Sequence, residues 1–137
     1  MLPQMFDTTS VPVLEQVLQF AQTRHQLLAS NVANLDTPGY RVRDLSPERF
    51  EARLASAIEA RDRNRQSVAS AHLVRGGSDP IREVGRNLEG ILQHDESNVG
   101  IEQQVNELAK NHIQHNLAIS LLEHQFQLLK VAISERP

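Results

Sequence analysis

Apolar residues in the last third of the chain recur at alternating spacings of four and three. The ladder runs Ile101, Val105, Leu108, His112, His115, Ile119, Leu122, Phe126, Leu129, Ile133. An average of 3.5 residues per repeat puts these side chains on one seam of a long helix, and such a seam is buried only against a partner helix. No Pro interrupts the stretch, and its only Gly, Gly100, lies at the start. The pattern predicts a helix over 98–134, on the order of 50 Å long at the usual helical rise. That is more than a domain of this size needs for its own core.

A matching ladder near the other end supplies a partner: Leu14, Leu18, Ala21, His25, Leu28, Val32, Leu35. It predicts a helix over 10–36, with Ser10 as a cap and Pro12 tolerated in the first turn. Asp36-Thr37-Pro38-Gly39 ends it, because Pro38 drives its predecessor out of the helical region and Gly39 permits a turn. Two heptad-bearing helices at opposite ends predict a mainly α fold in which they pair as an antiparallel coiled coil.

Between them, 37–97 reads as a turn and a variable middle. Ser46-Pro47 can open a shorter amphipathic helix to about Arg63, with Phe50, Leu54, Ala57 and Ile58 on its apolar face. From Asn64 the pattern fades into small and polar residues and then Gly76-Gly77-Ser78-Asp79-Pro80, a loop signal. Over 81–95 the apolar residues Ile81, Val84, Leu88, Ile91 and Leu92 are broken by Gly85 and Gly90, which fits a short helix or extended segments. Asp95 to Asn98 offers caps for the last helix. Residues 1–9 carry little pattern and are expected to be disordered or partner-dependent. The whole of 1–137 is read as one unit.

Composition narrows the class. The chain has 137 residues, 39% hydrophobic and 4% aromatic with no Trp, which favours helices that bury a stripe over a compact aromatic core. A formal net charge of -3, from 14 basic and 17 acidic residues, argues against nucleic-acid binding. The absence of Cys excludes disulfides and thiolate metal sites. Met1 to Thr9 has no basic n-region or long apolar stretch, so no cleaved secretory signal is expected, and no run reaches the length of a membrane span.

Catalytic chemistry finds little foothold. His112 and His115 share a helix face and His25 could meet them across an antiparallel pair, but zinc needs about four ligands in near-ideal geometry. Polar residues that fix register in a helical seam are the simpler account, with pH-sensitive packing as a hypothesis testable by helical content between about pH 5 and 8. Carboxylate pairs such as Asp36–Asp44 and Asp95–Glu96 sit in polar surroundings, and no Gly-x-Ser-x-Gly or phosphate-cradle spacing exists. No catalytic, cofactor or metal site is expected.

One stretch asks for more than a helix end: Asn31-x-x-Asn34-x-x-Thr37-Pro38-Gly39-Tyr40. Two amides one turn apart can bond the open carbonyls of a helix end or the backbone of the turn that follows, and Tyr40, the only Tyr, is an amphipathic anchor. This element resembles the signature near the N-terminus of bacterial flagellar rod and hook proteins. Arg41-Val42-Arg43-Asp44-Leu45, Glu107-Leu108-Ala109-Lys110-Asn111 and the closing Phe126-x-x-Leu129-Lys130-x-Ala132-Ile133 resemble the small proximal rod members of that family. The likeness covers roughly 13–45 and 95–133. It departs at Glu96-Ser97-Asn98-Val99, Gly100 and His115-Asn116.

The resemblance implies a non-enzymatic structural subunit of the rod that crosses the periplasm. Such subunits are made in the cytoplasm and exported unfolded through the flagellar type III apparatus without a cleaved signal. They polymerise as a helical stack and transmit torque. Implied partners are further copies, the other proximal rod proteins and the adaptor joining rod to membrane ring. Rival readings are another small proximal rod subunit, or a cytoplasmic helical adaptor or chaperone, which would have no use for the Asn31–Tyr40 element.

Overall fold

Two long helices from opposite ends of the chain lie side by side in the computed structural model, which describes residues 9–70, 79–95 and 100–134. The order is α1 (Val11–Asn34), β1 (Val42–Leu45), α2 (Pro47–Ser70), α3 (Pro80–Val84) running into a 3-10 segment (Gly85–Ile91), β2 (Leu92–Asp95) and α4 (Ile101–Ser134). Helices α1 and α4 are antiparallel: Asn31 meets Gln104, whereas Ala21 meets Asn111.

Local chemistry explains most of the boundaries. Pro12 sits in the first turn of α1, but Ser10 makes no side-chain cap; Thr9 Oγ1 accepts the Val11 N–H at 3.3 Å instead. Ser46 does cap α2, accepting the Arg49 N–H at 3.3 Å while donating to Glu48. That helix continues to Ser70, past the predicted end at Arg63, because Asn64, Arg65, Gln66 and Ser67 lower amphipathicity without breaking the helix. Asp79 caps α3 by accepting from the Ile81 N–H at 3.1 Å, with Pro80 in the first turn. Residues 1–8 and most of the Gly76–Pro80 loop signal lie outside the described residues, as do 96–98 of the candidate caps Asp95 to Asn98.

Strands β1 and β2 pair antiparallel from Val42↔Asp95 to Leu45↔Leu92. Neither follows from the hydrophobic pattern, since four residues each are too few for period-2 alternation to show.

The apolar core lies between α1, α2 and the 81–92 segment. Phe20 of α1 stacks on Phe50 of α2, ring centroids 4.1 Å apart, and Leu45, Leu54, Ala57, Ile81, Val84 and Ile91 close around them. Gly85 lets this segment approach α1: its N–H donates to Gln16 Oε1 at 2.7 Å, and a Cβ there would collide with the Gln16 and Gln19 amides.

Helix α4 contributes only Ala118 to the buried apolar residues. Its other two buried positions are polar, Gln104 and Asn111, and the three lie seven residues apart. The covered face is Gln104, Leu108, Asn111, His115, Ala118, Leu122, Gln125, Leu129, a 4-3 ladder. It shares every second rung with the predicted seam. The other rungs are offset by one residue: Asn111 in place of His112, Ala118 in place of Ile119, Gln125 in place of Phe126. Ile101, Val105, Phe126 and Ile133 are exposed, and Ile119 is half-buried. On α1, Leu14, Leu18, Val32 and Leu35 are half-buried and Leu28 fully buried, while Arg24 takes the inward place expected of His25. The helices therefore pack together along a line in which buried Gln104 and Asn111 alternate with Leu108, Ala118 and Leu122, a more polar seam than the spacing suggested.

A candidate assembly joint at the end of α1

The Asn31–Tyr40 element builds a sharp exit from α1. Asn34 closes the last turn, its Nδ2 donating to the Ser30 carbonyl at 2.8 Å, and the Asn34 carbonyl accepts the Thr37 N–H at 2.9 Å. Thr37 Oγ1 reaches Asn34 Oδ1 at 3.4 Å, and the Thr37 carbonyl accepts the Tyr40 N–H at 3.1 Å. Gly39 lies between them at φ +76°, a left-handed conformation that an L side chain resists, and Pro38 stiffens the preceding position.

Asn31 is fully buried and uses both sides of its amide. Nδ2 donates to the Arg43 carbonyl at 2.7 Å and to Gln104 Oε1 at 3.1 Å. Oδ1 accepts from the Tyr40 hydroxyl at 3.1 Å and from the Arg43 N–H at 3.2 Å. One side chain thus ties α1 to the backbone of β1 in the manner of a strand neighbour, and ties both to the first turns of α4. Tyr40 also reaches Ser30 Oγ at 3.2 Å, which holds the turn against the helix. An amide suits this position because it offers two donors and an acceptor in one plane.

Two turns further back, Arg24 forms the second tie. Its Nε and one Nη grip both oxygens of Asp44 on β1 at 2.9 and 2.8 Å, and the same Nη reaches Glu107 on α4 at 2.9 Å. Arg24 is only 4% exposed. Burial by itself would lower its pKa, but hydrogen bonds and charge attraction from Asp44 and then Glu107 outweigh that and raise it. Glu107 is held below its ordinary pKa, first by a hydrogen bond from Lys110 (2.8 Å) and, against the cost of burial, by Arg24. The third tie is Asn111, fully buried, whose Nδ2 donates to the Ala21 carbonyl at 2.8 Å.

Of the residues singled out from the sequence, Asn31, Asn34, Thr37, Gly39 and Tyr40 meet in this joint, with Pro38 exposed at its tip. The apolar ladder does not reach it. Arg24, Gln104 and the pairing role of Asp44 and Glu107 escape the hydrophobic pattern because their positions are polar. The family-like segments around Asp44, Glu107 and Asn111 are the signal that could find them. His25 and His112 are exposed, and among the described residues no three His, Asp or Glu side chains gather as a metal site.

A model of the flagella basal body rod protein family matches residues 18–41, the stretch that carries most of α1 and the exit turn. Along most of its length the chain is also similar to curated relatives named flagellar basal body rod protein FlgB. The Borrelia hermsii protein is 27% identical, covering 90% of this chain and 95% of the relative. The Bacillus subtilis protein is 23% identical, covering 88% and 90% respectively. The chain is thus similar to flagellar basal-body rod proteins, FlgB among them. The Escherichia coli FlgB is 25% identical over 82% of this chain and 84% of its own. No solved structure matches.

Both the matched family and the relatives are named as basal body rod proteins. Three polar ties hold the two terminal helices together at one depth. No helix among the described residues is long and apolar enough to cross a membrane.

Proposed function

We propose that this chain, acting as one unit, polymerises in the proximal rod through α1 and α4, against further copies, the other proximal rod proteins and the membrane-ring-to-rod adaptor. In this reading the chain passes unfolded through the flagellar type III export apparatus and joins a helical stack that crosses the periplasm and carries torque. The Asn31–Tyr40 element sets the shape of each subunit before it docks.

The observation that carries the reading is how α4 divides its surface. Toward its own α1 it turns Gln104, Asn111 and Ala118. Away from it, Ile113 is 67% exposed and Leu117 59%, with Leu121, Leu128 and Val131 continuing that stripe. Ile101, Val105, Phe126 and Ile133 are exposed along one flank. A helix with this much apolar surface outside is built for neighbours. Covering the half of each such side chain that is still exposed contributes about 1 kcal/mol. An open groove of about 260 Å³, bordered by Leu14, Phe50, Leu117 and Leu121, extends the apolar surface inward. Many small contacts of this kind, repeated by a helical stack, make a torsionally stiff tube.

The test is a strain whose only copy carries Ile113→Ser, Leu117→Ser and Leu121→Ser. The expected result is normal expression with no rod assembly and no swimming; swimming at the parental rate would refute the reading.

A further inference from the structure

A heptad-spaced helix has an inherent ambiguity, since sliding it by one repeat restores the same face. On α4, packing alone would accommodate a slide that puts each residue where the one seven places earlier now sits. Ala118 would replace Asn111 opposite Ala21 and Leu122 would replace His115, while His115 would replace Leu108 and Gln125 would replace Ala118, so that apolar gains and losses offset. Asn31, now facing Asn111, would still find an amide. Apolar matching therefore does not choose the observed register.

We infer that the Arg24–Glu107 pair is the register-determining contact of α1 against α4. Glu107 is the only carboxylate that α4 brings to Arg24. One heptad later the position is held by Gln114, and one heptad earlier by Gly100. Arg24 cannot drift to follow a sliding helix, because Asp44 grips it from β1 with two bonds, and β1 is itself tied to α1 through Asn31. More than nine-tenths of Arg24 is out of water, so an inward-turned glutamine is a poor exchange for a carboxylate there. The Asn111–Ala21 bond adds to the same choice, since Ala118 has nothing to donate.

If the proposed function holds, this register sets how far the apolar end of α4 projects beyond α1, and so the axial spacing of neighbours. The register itself is testable in the isolated chain, so its failure is separable from failure of the rod reading.

The experiment moves the carboxylate. The chain has no Cys, so nitroxide labels go on Glu15→Cys and Lys130→Cys, exposed positions on α1 and α4, and the distance between them is measured by pulsed electron resonance. Glu107→Gln combined with Gln114→Glu is expected to shorten it by about 10 Å, the rise of seven helical residues. Gln114→Glu alone, which keeps Glu107, is expected to give two distances, the parental one and the shorter one. Retention of the single parental distance in Gln114→Glu, or in a double variant of parental helical content, overturns the inference. A merely stabilising pair would loosen the contact without producing the second, shorter distance.

Discussion

Helix α1 has two working faces, and they are held by opposite means. Towards α2 and the 81–92 segment it presents Phe20, Val13, Val17 and Leu27 to a dry apolar core. Towards α4 it presents Arg24, Asn31 and the Ala21 carbonyl to Glu107, Gln104 and Asn111. Apolar burial is strong and indifferent to exact position, whereas hydrogen bonds and ion pairs contribute less net stability but fail when displaced by about an ångström. The first face makes the subunit fold. The second fixes where a long helix sits, and leaves the apolar surface of that helix outside.

The largest test of this contrast is Phe50→Ala. Removing a ring stacked on Phe20 in the core should cost about 3–5 kcal/mol, measured by urea unfolding of the isolated chain, and should loosen both regions together. Asn31→Ala comes next. It strands the Arg43 N–H and carbonyl, each a loss of about 1–3 kcal/mol when buried without a partner. It should free β1 and α4 before it loosens α2, which residue-level hydrogen exchange would reveal; uniform loosening would break the distinction between the two faces.

Acid should act on the polar face through Glu107. Glu107 has a folded pKa below its ordinary 4.5, so its contribution is complete above that value and is lost as pH falls through the lower folded one. Helical content of the α4 region should therefore be flat from neutral to about pH 5 and fall below it. Glu107→Gln should lose about 1 kcal/mol at neutral pH, for a side chain still 28% exposed, and should flatten this component of the acid response. The smallest effect on stability belongs to the outward stripe. Leu117→Ser should change the unfolding free energy of the isolated chain by no more than about 0.5 kcal/mol, as at other exposed positions.

The long helices are legible in the sequence because periodicity over several heptads is hard to mistake, and the exit turn is legible because Pro38 and Gly39 have few other uses. The seam of α4 reads one residue off. The hydrophobic pattern there belongs to two or three surfaces at once, and the strongest ladder, through Ile101, Phe126 and Ile133, is not the one its own partner covers. Arg24 is hidden beside His25 for the same reason: a buried charge looks like a surface charge until Asp44 and Glu107 are brought to it. The strands are invisible at four residues each, being created by the Asn31 tie and the pairing of Leu45 with Leu92.

The most direct measurement is hydrogen exchange along α4, in the isolated chain and in assembled rods. If α4 is a polar-seated helix whose apolar surface belongs to neighbours, amides from about Ile113 to Ser134 exchange readily in the isolated chain while those around Phe20 and Phe50 are protected, and assembly protects α4. Protection of α4 equal to that of the core in the isolated chain, unchanged on assembly, would contradict the account.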